Sequence, residues 1–269
     1  MNEFNTTDII DNLIQVMTIA AQYSSNNHSG VEDLDGSLRY CSGCEFPFFN
    51  GVFNNHRNSK LVIKDELEPI IDFFTDKKLP FIWWWTQQSE IPEEIKLNLD
   101  ENGFQFLGDF LGIAAKLDEM EFSSTNNKIE IGIVSTHKEY ELFLNIMCHV
   151  FQMSEFIKND LKEMYQSYGP QGKFKHYIGY YLGEPVSTLT TYMDGQIVGL
   201  YNGATLADFQ KNGICSALAH HAIKEAMALN CKYAVSQLMT PGMAKGLSDK
   251  MGAKTYCILR PFLKDPRME

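Results

Sequence analysis

Three runs of alternating apolar and polar residues, 174–182, 186–193 and 197–205, follow one another with breaks at Gly183-Glu184 and Asp194-Gly195. Alternation puts every second side chain on one face of a strand, and Asp-Gly supplies the positive φ that a tight hairpin needs. The spacing predicts an antiparallel meander. Residues 213–229 then switch to helical spacing, with Ile214, Ala217, Leu218, Ala222 and Leu229 on one face. A strand at 233–239, a helix at 242–251 and a strand at 254–262 complete the pattern. Upstream lie a strand at 129–133, a helix through residue 150 with Thr136 as its cap, and a helix at 155–168 ended by Gly169-Pro170. After the first strand the order is ααβββαβαβ, which reads as α/β with a mixed sheet.

The first half echoes this order more loosely. Helical spacing covers 7–23 and 61–74, and 24–36 is rich enough in Ser, Asn, Gly and Asp to read as a loop. A continuous apolar run at 79–85, which contains Trp83-Trp84-Trp85, suits a buried strand. Pro92 fits the first turn of a helix that ends at Asn102-Gly103, and 104–117 reads as a strand. Residues 120–128 are polar and read as a linker, so the expected division is 1–124 and 125–269. Charge divides the same way: of the formal −11, the first part carries −13 and the second +2. That balance disfavours a generally basic nucleic-acid binder, and it favours the second part as the partner of any anionic cofactor. No apolar run approaches the roughly 18 residues of a membrane span. The N-terminus lacks a basic leader, and six cysteines in 269 residues make no small disulfide framework. A cytoplasmic protein with no membrane and no nucleic-acid partner is the expectation. The sequence does not fix its oligomeric state.

Chemistry concentrates where the third meander strand meets the following helix. That helix opens at Gln210-Lys211-Asn212-Gly213-Ile214-Cys215-Ser216. The first turn of a helix presents amides with no intrahelical acceptor, together with the positive end of the dipole. Gly213 would let an anion approach the backbone, and Lys211 adds a charge. There is no Gly-Lys-Ser/Thr and no G-x-G-x-x-G, so neither common nucleotide loop is present. On local chemistry alone, an ordinary strand-to-helix connection with one glycine is an equal alternative.

Gln210-Lys-Asn-Gly213-Ile-Cys215, with Ala204-Thr205 before it and Asp249-Lys-Met-Gly252-Ala253 after it, resembles the GNAT superfamily of N-acetyltransferases. Their pyrophosphate loop reads Gln/Arg-x-x-Gly-x-Gly/Ala. The specific likeness covers residues 197 to about 262. Leu99-Asp-Glu-Asn-Gly103-Phe104 resembles the "Leu…Gly-Phe" ending of the same superfamily, but the first half has no such loop. The resemblance implies the acyl-CoA N-acyltransferase fold, with a degenerate GNAT-like module at 1–124 and an acetyl-CoA-binding one at 125–269. It implies acetyl-CoA as co-substrate, with Gly203, Ala204 and Thr205 on the thioester and pantetheine arm and the amides of 210–216 on the diphosphate. An amine acceptor then attacks directly. Tyr201 and Asn202 are the expected acceptor-side residues.

Three positions depart from the pattern. Cys215 replaces the second small residue. Ser248 stands where many members carry the tyrosine that protonates the leaving thiolate, and Gly199 stands where protein-lysine acetyltransferases carry a basic glutamate. Serine is a far weaker acid than phenol. A catalytically weak acyl-CoA-binding protein is therefore the alternative function, and a longer-chain acyl or aminoacyl transferase a third.

Other candidates carry less. Cys41-Ser-Gly-Cys44 has no second pair at zinc spacing and reads as a turn, so no metal is expected. His220 and His221 point about 100° apart on a helix and cannot share one ion. Trp83–Trp85 is expected to fill a core with one ring exposed, and Glu90–Glu94 to be a solvated helix start.

Overall fold

The computed structural model describes residues 4–23, 29–34, 37–54, 64–120, 126–168, 173–239, 249 and 251–268. The chain divides into two compact units, Met1–Gly112 with Tyr256–Glu269, and Ile113–Thr255. These are not contiguous halves, because the last strand belongs to the first unit.

The first unit contains α1 (Thr6–Tyr23), β1 (Gly30–Asp33), β2 (Ser37–Cys41), β3 (Asn50–Asn54), α2 (Lys64–Thr75), β4 (Phe81–Trp85), α3 (Glu93–Glu101) and β5 (Gln105–Phe106). It is completed by β12 (Lys254–Lys264). Strands β1, β2 and β3 form a meander, β4 joins β3 in parallel, and β12 runs antiparallel to β4. Because β4 is flanked on both sides and covered on both faces, Trp83, Trp84 and Trp85 are 1, 1 and 0% exposed. No tryptophan ring is left outside, contrary to the expectation for this run. Trp83 and Trp85 pack with Leu67, Ile70 and Phe74 of α2 and Ile95 and Leu99 of α3. Trp84 faces the other way and donates from Nε1 to Tyr40 OH at 2.9 Å.

Composition misled in two places here. Within 24–36, Gly30–Asp33 is a short edge strand, formed because β2 offers it a partner rather than through any propensity of its own. Within 104–117, Gly108 takes a φ of 94° and divides the run into β5 and β6 (Phe110–Lys116). The C-x-x-C segment is the end of β2 followed by a loop rather than the expected turn, organised by the buried Asn50. Its Oδ1 accepts from the Ser42 and Gly43 amides at 3.1 and 3.2 Å, and its Nδ2 donates to Cys44 O at 2.7 Å. Among the described residues no group of three or more His, Cys, Asp or Glu side chains could hold a metal ion.

Strand β6 leads into the second unit, which contains β7 (Ile129–Ile133), α4 (His137–Val150), α5 (Glu155–Tyr168), β8 (Phe174–Tyr181), β9 (Glu184–Asp194), β10 (Ile197–Thr205), α6 (Ile214–Ala228) and β11 (Tyr233–Met239). Thr136 and Glu139 form a reciprocal capping box at the start of α4. Two backbone and two hydroxyl hydrogen bonds hold the Glu139 carboxyl down to about pH 2. The sheet order is β11-β10-β9-β8-β7, with both meander turns at positive-φ glycines, Gly183 and Gly195. Leu189 packs on Leu218 and Ala222 of α6. Its neighbour Thr190 points to the opposite face, where α4 and α5 lie. The expected helix at 242–251 falls largely outside the described residues, as do 121–125 of the expected linker.

Candidate functional site

Strands β10 and β11 are parallel but paired at only three positions, Ile197/Tyr233, Val198/Ala234 and Gly199/Val235. Both continue beyond this, to Thr205 and Met239, with no further pairing between them. The base of this fork is closed by side chains. Ser236 Oγ donates to Leu200 O at 2.9 Å, and Tyr201 is hydrogen-bonded to the side chain of Gln237. Burial keeps the Tyr201 phenol protonated.

A bulge in β10 accounts for the divergence. Its pairing with β9 shifts between Tyr201/Thr190 and Ala204/Thr188, so β10 holds one extra residue there. An extra residue bends the strand that carries it. Asn202 takes up the bend at a φ of 51°, a conformation that asparagine tolerates better than most residues. Past the bulge, β10 is fastened on its β9 side. Ser187 Oγ donates to Ala204 O at 2.7 Å and shares a hydrogen bond with Thr205 Oγ1 at 2.8 Å, while Leu206 N donates to Val186 O at 2.9 Å. Among the described residues, no strand pairs with the edge of β10 that faces β11 beyond Gly199. Gly203 is exposed, and a Cβ there would meet nothing closer than Leu189 Cδ1 at 3.8 Å.

The strand runs directly into the turn singled out by its sequence. Gln210 Nε2 donates to Thr205 O at 3.3 Å, and Asn212 Nδ2 to Phe209 O at 3.1 Å. Lys211 and Gly213 take positive φ values of 64 and 80°. Gly213 is the N-cap of α6 with no side-chain cap, and the first helical bond runs from Ala217 N to Gly213 O at 2.9 Å. The amides of Ile214, Cys215 and Ser216 precede that bond, so they are the uncapped donors of the first turn. A Cβ on Gly213 would stand in open space, and Lys211 and Asn212 are exposed beside it. Burial pushes the Cys215 thiol above its ordinary value, so this residue adds no negative charge.

Buried Ile214 seats the turn against the sheet, and Gly179 of β8 permits that seating. A Cβ at Gly179 would come within 2.8 Å of Ile214 Cγ2 and 3.1 Å of Leu218 Cδ1. Gly179 was legible as a glycine interrupting a strand pattern, a sign of close approach. Gln237 carried no comparable signal.

The remaining candidates fall as follows. Gly199 is buried at the last paired position of the fork. Tyr201 and Asn202 share the face that bears α5, since Tyr201 lies opposite Thr190 and Asn202 Nδ2 donates to Tyr165 OH at 3.0 Å. Ser248 lies outside the described residues. His220 and His221 do not converge on one point. His221 instead joins Lys175 and Tyr177 around Glu225, with Tyr177 OH donating to Glu225 Oε2 at 2.6 Å.

The first unit repeats the meander-plus-parallel-strand layout without the fork. Its β3 and β4 pair from Gly51/Ile82 to Asn54/Trp85, the last residue of each strand. A Cβ on Gly51 would lie 2.3 Å from Ile82 O, a measure of how closely these strands approach.

No protein-family model matches the sequence, and neither does any curated protein. Solved structures do match the fold. A conserved protein of unknown function from Staphylococcus epidermidis superposes with a TM-score of 0.71 at 15% identity, covering 87% of this chain and 92% of that one. A GCN5-related N-acetyltransferase from Kribbella flavida gives 0.69 at 10% identity, covering 95% of each chain. A tandem GNAT protein from the clavulanic acid biosynthesis pathway gives 0.52 at 5% identity, covering 98% and 97%. The fold is that of the GNAT N-acetyltransferases.

Proposed function

We propose that the chain is an N-acetyltransferase that moves an acetyl group from acetyl-CoA to an amine, with one cofactor cleft, in the 125–269 part, and a degenerate module in 1–124. The observation that carries this reading is the joining of two features in one stretch of a GNAT fold. A strand edge opens at Asn202, and an uncapped helix N-terminus follows at Gly213.

The residues present fit the co-substrate. The amides of Ile214, Cys215 and Ser216 are uncapped and a Cβ on Gly213 would meet no protein atom, so a diphosphate has both room and donors, with Lys211, Asn212 and Gly213 beside them; of the expected 210–216 donors the Gln210 amide is already taken, donating to Ala207 O at 3.2 Å. Gly203, Ala204 and Thr205 offer the edge on which an amide-bearing pantetheine arm pairs as a short strand would. Bound acetyl-CoA supplies an activated thioester, which an amine attacks directly with loss of the coenzyme thiol. A backbone amide of the 203–205 stretch would be the group to stabilise the charge that develops on the thioester oxygen. Tyr201 is poorly placed as an acid, because burial makes its phenol hold the proton more tightly than a free tyrosine does. By the sequence resemblance, Ser248 aligns with the acid of the GNAT superfamily, and serine is a far weaker acid than tyrosine.

In the first unit the equivalent strands stay paired to their ends, which supports a single cleft. All six cysteines are free, in keeping with a reducing cytoplasm. No helix among the described residues is long and apolar enough to cross a membrane. The acceptor is a small amine or a protein amine.

A second reading, a weakly catalytic acyl-CoA-binding protein, is favoured by the engaged polar atoms of Tyr201 and Asn202 and by the serine at 248. Calorimetric titration with acetyl-CoA, followed by a thiol-release assay over a panel of amines, separates the two. Binding with acceptor-dependent thiol release supports the transferase. Binding with none across the panel supports the second reading, and no binding removes both.

A further inference from the structure

Asn202 holds a left-handed conformation without the freedom of glycine, and side chains from three elements fix it there. Its Nδ2 donates to Tyr165 OH of α5 at 3.0 Å and to Thr190 Oγ1 of β9 at 3.2 Å. Its carbonyl accepts from Thr188 Oγ1 at 3.0 Å. Thr190 Oγ1 in turn lies 2.9 Å from Nδ1 of His176 on β8. Both hydrogens of the Asn202 amide are thus committed, and Thr190 accepts one of them. The hydroxyl's own hydrogen then goes to His176 Nδ1, which places the imidazole proton on Nε2, an atom buried without a partner. The opposite tautomer would leave the hydroxyl hydrogen idle as well. Tyr140, Phe143 and Tyr165 enclose the ring at centroid distances of 5.8, 5.0 and 4.9 Å. Burial drives its pKa down to about 3, so the ring stays neutral and the chain of hydrogen bonds holds one direction.

We propose that Asn202 is a positioning residue rather than an acceptor-binding one: locked by Tyr165, Thr190 and His176, it holds the β10 bulge so that the backbone of 203–205 lies in the open edge where the thioester binds. This rests on the transferase reading of β10. The lock also joins α5, on the acceptor-side face, to the strand that carries the thioester.

The test turns on a reversal of sign. Alanine at 202 keeps more packing than glycine but resists positive φ, by roughly tenfold in population. Ligand affinity falls with the fraction of chains in the competent form. Asn202→Ala is expected to raise the acetyl-CoA dissociation constant about tenfold, with Asn202→Gly returning to within about threefold of the wild-type value. Tyr165→Phe, which deletes only a hydroxyl, is expected to give an intermediate loss. A plain packing role predicts the reverse order, glycine worse than alanine, and that result overturns the proposal. Amide chemical shifts of 203–205, recorded without ligand, are expected to move in Asn202→Ala and Tyr165→Phe and to stay near wild type in Asn202→Gly. If wild-type protein binds no acetyl-CoA the transferase reading falls, while those shifts still decide the lock. If it binds and the alanine variant matches it in both shifts and affinity, the lock falls and the reading stands.

Discussion

Replacing Gly213 by aspartate and, separately, by asparagine isolates charge at the mouth of α6. Position 213 has a φ of 80° and open space where a Cβ would go. Both residues tolerate that conformation and both can cap a helix, so strain and capping are common to the pair. The pair differs by one negative charge facing the proposed diphosphate. At a separation of about 6 Å and an effective dielectric near 40, each opposing unit charge costs about 1.4 kcal/mol. Two charges on the diphosphate bring this to about 3 kcal/mol, or roughly 100-fold in dissociation constant. Calorimetric titration of coenzyme A reads the difference directly, and raising the salt to about 0.5 M should shrink it as screening shortens the reach of the charge. Thermal stability should move the other way, because a carboxylate at a helix N-terminus favours the dipole. Two well-folded variants that bind the coenzyme equally would remove this turn from the site.

Four further outcomes follow from particular residues. Gly51→Ala drives a Cβ into Ile82 O and Tyr40 OH and should cost about 3 kcal/mol in urea unfolding; an unchanged midpoint would contradict the tight β3–β4 approach. Thr136→Ala opens the capping box of α4 and should cost about 1 kcal/mol. The Glu139 carboxyl is held down to about 2 in the folded chain, so its contribution is complete above the ordinary carboxylate value near 4.5 and fades as pH falls toward 2. Glu139→Gln should flatten the stability profile in that window, and a profile parallel to wild type would count against the capping bonds. Ser248→Tyr should raise turnover several-fold with little change in the acetyl-CoA KM, since a better acid acts only as the thiolate departs; an unchanged kcat would mean that this proton does not limit the rate.

What could be read from sequence was local. Asp194-Gly195 and Gly183 mark their turns because the conformations they adopt are difficult for other residues, and Thr136 with Glu139 marks a helix start through a contact three residues long. The turn at 210–216 was legible for the same reason: glycine at a helix mouth is a local statement. Long-range choices were not. Strand β12 alternates like any strand, and nothing in residues 254–264 says that its partner is β4, more than 150 positions earlier. Gly30–Asp33 pairs only because β2 is beside it. Asn202-Gly203 carried a faint sign of the bulge, since asparagine and glycine both accept positive φ. The termination of β10–β11 pairing at Gly199/Val235 became visible only with both strands in place. The engagement of Tyr201 by Gln237, and of Asn202 by Tyr165, joins residues 36 and 37 positions apart, beyond the reach of periodicity.

A crystal structure of the chain with coenzyme A tests the central claim most directly. The account predicts the diphosphate on the amides of Gly213, Ile214, Cys215 and Ser216, with the pantetheine arm along the free edge of β10 from Thr205 toward Gly203. Coenzyme bound elsewhere, or a diphosphate making no contact with the Gly213 turn, would contradict it.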